Sequence, residues 1–204
     1  MSRETKPAAP SIYILDTCAY FRLARSVRPL LGRAFGKPPH YKIFVIKRLV
    51  TEHLGSPRLR SKFHWISENE IQNEIASGTY MPKGRKKSTV DEAMSFLRNY
   101  VDDVYVAEAK PGPSPADLEA LAVAFAIPGF VVSDDKNLRE TGKAFDIKTI
   151  STFDLLEILL ADEVLTVENI GSIVDYWEYD KDLPMAPPEI HKRLDTLKAA
   201  RGLT

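Results

Sequence analysis

Cysteine is nearly absent. Cys18 is the one thiol in 204 residues, so no disulfide framework and no Cys-rich zinc site can be built. Histidine is scarce too: His40, His53, His64 and His191 form no HxxxH or CxxH pattern. A bound metal must therefore be held by oxygen, which favours Mg²⁺ or Mn²⁺ over Zn²⁺. No apolar run approaches the ~20 residues that span a bilayer, and the opening MSRETKPAAP lacks the apolar core of a signal peptide. The expectation is a cytoplasmic protein with no membrane partner. Net charge is also lacking, because 28 Lys and Arg balance 28 Asp and Glu.

That balance is unevenly distributed. Residues 22–87 carry 15 Lys and Arg against 4 Glu and no Asp, a local excess of +11, whereas residues 150–184 hold nine acids and one Lys. A basic tract of this size suits a polyanionic partner, since phosphate backbones attract such clusters through counterion release. A merely solvated basic face is the alternative. With 44% hydrophobic and 27% charged residues the chain has the composition of a packed globular protein, long enough for one domain and an extension.

Residues 1–10 read as a tail. SIYIL (11–15) reads as a buried strand, and the spacing of Tyr20, Phe21, Leu23, Ala24 and Val27 predicts a helix within 17–35 that stops near Arg28-Pro29. KIFVIK (42–47) predicts a strand, followed by a helix from about Leu49 that Gly55-Ser56-Pro57 interrupts. A helix is expected again over 60–76, then a basic loop over 77–88 and a helix over 89–100. DVYVAE (103–108) alternates like a strand. Ser114-Pro115-Ala116-Asp117 opens a helix with Ser at the N-cap and Pro at the first helical position. FVVS (130–133) reads as a strand, 136–143 as a short helix, IKTIS (147–151) as a strand, and the rest as helical with a break at 183–188. Alternating strands and helices predict an α/β fold with a mainly parallel central sheet.

Four acids fall at informative places. Asp16 ends the first strand, Asp117 opens the 115 helix, and Asp134-Asp135 ends the FVVS strand. Glu52 lies one helical turn into the helix after KIFVIK. Each has an ordinary explanation, such as an N-cap for Asp16 or a capping box for Asp117. Together they gather at the carboxyl ends of parallel strands, where α/β folds place their ligands. Clustered carboxylates repel one another unless a cation neutralises them.

At these residues the sequence resembles the PIN-domain family of ribonucleases, which includes toxins of toxin–antitoxin pairs. SIYILDTCAYFRL resembles the family's opening strand and acid, VTEHL its second acid, and SPADLEALAVAFAIPGFVVSDDKNL its most telling block. The resemblance covers about residues 11–160 and implies a three-layer α/β/α PIN-like fold; residues 161–204 exceed it and read from the sequence as a helical carboxyl-terminal extension. It implies a Mg²⁺- or Mn²⁺-dependent ribonuclease in which Asp16, Asp117 and Asp135 hold the metal and Glu52 completes the catalytic set, with Glu70 and Glu74 as fallbacks for Glu52. Ser133, Asp134 and Asn137 would support the site, and Asp134 takes Asp135's place if the strand is one residue shorter. RNA is the implied substrate. An antitoxin protein and a homodimer are further partners the resemblance suggests, and a non-catalytic RNA- or protein-binding scaffold is the alternative.

Among the remaining residues, Lys83, Arg85, Lys86 and Lys87 are the candidates for phosphate contacts. Cys18 has no histidine partner in a nucleophile motif and reads as a small core residue, and Trp65, Trp177 and Tyr179 read as packing residues rather than base-stacking platforms. A dehalogenase-like phosphatase also begins with a strand ending in Asp, but it needs a second Asp two residues on, where Cys18 stands.

Overall fold

The computed structural model describes residues 11–38 and 40–202; the expected tail at 1–10 lies outside them. The strands alternate in what they bury. In β1 (Ser11–Leu15), Tyr13 and Leu15 enter one hydrophobic cluster and Ile14 the other. In β3 (Tyr41–Ile46), Tyr41, Ile43 and Val45 join the first cluster while Ile46 joins the second. The short β5 (Phe130–Val132) divides Val132 from Val131 in the same way. A period-two pattern that is apolar on both faces requires a cover on each side.

The sheet runs in the order β2-β3-β1-β5-β6, where β2 is Ala34–Phe35 and β6 is Lys148–Ile150. Every pairing is parallel except β2 with β3, and β4 (Thr79–Tyr80) pairs with the far end of β3. On one face lie α1 (Thr17–Leu23), α4 (Asn69–Gly78) and α8 (Thr152–Ala161), joined by α9 (Val167–Tyr179) and α10 (Pro187–Ala200). On the other lie α5 (Arg85–Val101), α6 (Pro115–Ala126) and α7 (Lys136–Ala144). The result is the expected three-layer α/β/α arrangement around a mostly parallel sheet. α9 and α10 share a core with the sheet: Trp177 and Ile190 belong to the same cluster as Tyr20 and Leu15.

Several local expectations need correction. The 103–108 strand does not form; α5 runs on into a π-helical turn at Asp102–Val106. Val101 and Tyr105, four residues apart, are the ones buried, so helical spacing overrides the alternation, and Val106 stays exposed. The first helix ends at Leu23, whose carbonyl is shared by the Ser26 and Val27 amides in the turn that follows. The helix over 60–76 is three pieces: α3 (Pro57–Lys62), a 3₁₀ turn (His64–Ser67) and α4. Within the 77–88 loop, β4 forms and α5 begins at Arg85.

Close backbone packing brings β1 and β5 together. A Cβ on Gly129 would stand 2.9 Å from the Ile12 carbonyl oxygen, so only glycine lets the chain enter β5 there. Beyond the strands, the Asp16 amide bonds the Val132 carbonyl at 3.0 Å and the Ser133 amide bonds Ile150 at 2.9 Å. Because β3 and β5 flank β1, the chain order reverses at β1, which puts a crevice at its carboxyl end.

Candidate active site

Three helix amino termini meet at this crevice, each with an acid in its capping arrangement. Asp16 accepts from the Ala19 amide at 2.5 Å and caps α1. Asp117 completes a capping box on α6, accepting from the Ser114 amide at 2.8 Å while Ser114 accepts from the Asp117 amide at 3.2 Å. Asp135 caps α7 through the Leu138 amide at 2.7 Å. In each of these bonds one carboxylate oxygen serves the helix amide, and the carboxylate keeps lone pairs for a further partner. The capping explanation and the ligand explanation of these acids are therefore compatible.

Glu52 arrives from α2 (Lys47–Gly55) and accepts from the Thr17 hydroxyl at 2.8 Å. The fallback acids lie elsewhere: Glu74 accepts from the Leu30 and Leu31 amides at 2.7 and 2.9 Å, and Glu70 lies 3.6 Å from Arg28. Asp16, Glu52, Asp117, Asp134 and Asp135 all line one cleft of about 570 Å³.

The acids perturb one another. Asp16 is pushed up to about 7, first by burial and then by the Asp117 and Asp134 carboxylates, against hydrogen bonds from Ser133 and the Ala19 amide. Asp117 is raised as well, by burial first, with Asp135 and Glu52 adding to it against its Ser114 bonds. Charge gathered this way disfavours further ionisation unless a cation is present.

Asp134 differs from Asp135. It receives the Thr152 amide on Oδ1 at 2.9 Å, the Thr152 hydroxyl and Arg22 Nη1 on Oδ2, the latter at 2.8 Å. With both oxygens committed, it braces β5 against α8 and leaves Asp135 the freer donor. Ser133, fully buried, accepts from the Asp135 amide at 3.0 Å and also bonds Asp16. Asn137 turns elsewhere, donating to the Pro111 carbonyl at 2.9 Å, so it braces the loop before α6 instead of facing the cleft.

The basic candidates are exposed but stand apart from the acids. Lys83 precedes α5, while Arg85, Lys86 and Lys87 form its first turn, where no acid offsets the positive end of the helix. Lys87 lines a second cleft with Lys47 and Arg48, and Arg48 is paired with Glu119 at 2.8 Å.

Two side-chain expectations are corrected. Cys18 is exposed rather than a core residue, because its position on α1 faces the cleft. The protein around its thiol, then the Asp16 carboxylate, push that thiol up to about 11, so it is not a thiolate at neutral pH. Trp65 and Trp177 are buried as expected, but Tyr179, the last residue of α9, is 86% exposed.

Sequence reading missed Thr17, Arg22, Thr152 and Asp182. Arg22 links Asp134 to Asp182, with Nη2 to Asp182 Oδ1 at 3.1 Å. The uneven charge was the available signal: part of the basic tract is answered within the chain by the acidic tract.

The donor set is oxygen throughout, and the mutual repulsion of the acids fits a hard divalent cation. Among the described residues, however, no three His, Cys, Asp or Glu side chains already converge as a metal-holding group. No helix among them is long and apolar enough to cross a membrane.

No protein-family model and no curated protein matches the sequence. Among solved structures, the crystal structure of FitAcB from Neisseria gonorrhoeae aligns over 69% of this chain and 98% of its own, with a TM-score of 0.44 and 15% identity.

Proposed function

We propose that this chain is a Mg²⁺- or Mn²⁺-dependent ribonuclease that hydrolyses RNA phosphodiester bonds. The observation that carries this reading is that Asp16, Asp117 and Asp135 line one cleft from three helix amino termini, where burial and the neighbouring carboxylates raise Asp16 and Asp117. Those three acids would hold the ion, and Glu52, steadied by Thr17, would complete the pocket. A bound divalent ion supplies water activation and stabilises charge on the phosphodiester. Ser133 orders Asp16 and Asp135 together, and Arg22 with Thr152 keeps Asp134 fixed beside them. The exposed cations of Lys83, Arg85, Lys86 and Lys87 supply phosphate contacts that position the strand.

The order of the acid motifs along the chain, which resembles PIN domains, supports the same reading. Within it we further propose a toxin role, with an antitoxin protein and a second copy of the chain as partners. Co-purification with the product of a neighbouring gene and the solution mass test those two points.

A non-catalytic RNA- or protein-binding scaffold is the second reading. It is favoured by the lack, among the described residues, of an already converged metal-holding group. Cleavage of RNA by the purified chain with Mn²⁺, Mg²⁺ or EDTA, beside Asp16→Asn, separates the two. Metal-dependent cleavage lost in the variant supports the nuclease; a folded chain that neither cleaves nor takes up Mn²⁺ supports the scaffold.

A further inference from the structure

Between α9 and α10 the chain runs Asp180-Lys181-Asp182, and Asp182 lines the same cleft as Asp16 and Glu52. The turn is firmly seated. Arg22 donates through Nε to the Asp182 carbonyl at 3.1 Å and through Nη2 to its carboxylate, while the buried Trp177 indole donates to the Arg22 carbonyl at 3.0 Å. Lys62, the last residue of α3, also lines the cleft. Its ammonium lies 3.1 Å from Asp180 and 3.7 Å from Asp182.

We propose that the Asp180–Asp182 turn is a built-in competitor for RNA phosphate, holding Lys62 in the place a strand at the cleft mouth would otherwise take. The inference rests on the nuclease reading and assigns the carboxyl-terminal extension a part in substrate selection.

The two cations the turn engages are not equivalent. Arg22 is 12% exposed and held between Asp134 and Asp182, so a ligand does not release it. Lys62 is one-third exposed, and ion pairs that open to water are weak enough for a polyanion to displace. A phosphate reaching Lys62 must still approach two carboxylates, and like charge repels it. Strands whose phosphates avoid that lip are therefore bound in preference.

The test measures binding of a short single-stranded RNA to the full chain in EDTA, so that no metal-dependent cleavage competes, across a range of salt. D180N/D182N is expected to bind about threefold tighter at low salt, with a salt slope steeper by about 0.7, the signature of one added phosphate contact. D180N alone leaves the Arg22–Asp182 bonds in place and is expected to move both quantities in the same direction. Adding K62Q to the double variant should remove the gain. Unchanged affinity and slope in variants that do bind RNA would overturn the inference and leave the nuclease reading standing, and so would a gain that survives K62Q. If no form of the chain binds RNA, the nuclease reading falls first and this inference with it.

Discussion

The Thr17 hydroxyl donates to Glu52 across 2.8 Å and 35 residues of chain, joining the first turn of α1 to α2. Thr17→Val removes the donor while keeping the branched shape. A hydrogen bond to a charged group contributes about 1.5–3 kcal/mol, so metal-dependent turnover of RNA should fall on the order of tenfold. Thr17→Ser should restore most of it. Undiminished turnover in the valine variant would take Glu52 out of the working site.

Asp16 ties stability to pH. Its carboxyl titrates at about 7 in the folded chain against 3.8 for the free side chain, so the folded state holds the extra proton between those values. Its contribution is complete below about pH 4 and is lost as pH rises to about 7, a change on the order of 4 kcal/mol in the absence of metal. Urea titrations of wild type and Asp16→Asn at pH 5 and pH 8 isolate it. The variant should be the more stable of the two at pH 8, and equal stability at both pH values would refute the assignment.

Mn²⁺ should act in the opposite sense. A cation that binds the folded chain alone stabilises it, by about 2.7 kcal/mol at a hundredfold excess over Kd. The rise in Tm should be larger at pH 8 than at pH 5, because protons compete for the same carboxylates. Asp135→Asn and Asp16→Asn should each diminish it. A Tm that ignores Mn²⁺ at both pH values would favour the scaffold.

Asp134 and Asp135 should separate cleanly. Asp134→Asn leaves Arg22 facing an amide where the two side chains are only 12% and 7% exposed; Asp182 still pairs with Arg22, so the loss is that of a charge-assisted hydrogen bond, about 1.5–3 kcal/mol. Asp135→Asn keeps an oxygen for the Leu138 amide and should cost little stability while abolishing metal-dependent cleavage. Denaturation and cleavage measured on both variants check the two halves of this contrast. The reverse result would exchange the roles of the two residues.

Much of this arrangement was legible in the sequence, and the reasons are physical. β1, β3 and β5 are apolar on both faces, which only a covered parallel sheet satisfies, and Ser114-Pro115-Ala116-Asp117 spells its own capping box. The 103–108 segment misled because its own residues alternate, while the buried pair Val101 and Tyr105 follows the helical period continued from α5. Asp134 was placed beside the site, but its partners were invisible: Arg22 and Thr152 lie 112 and 18 residues away. The charge asymmetry showed that opposite tracts exist, without showing that Lys62 and Asp180 would find each other.

The double duty of the three capping acids bears on how such a chain changes over generations. If the proposed chemistry were absent or lost, selection for folding would still retain a side chain able to accept from the Ala19, Ser114 and Leu138 amides. An inactive descendant would drift to asparagine, serine or threonine at these positions long before alanine. Persistence of polar residues there therefore says little about activity, while persistence of all three negative charges, which folding alone does not ask for, says a great deal.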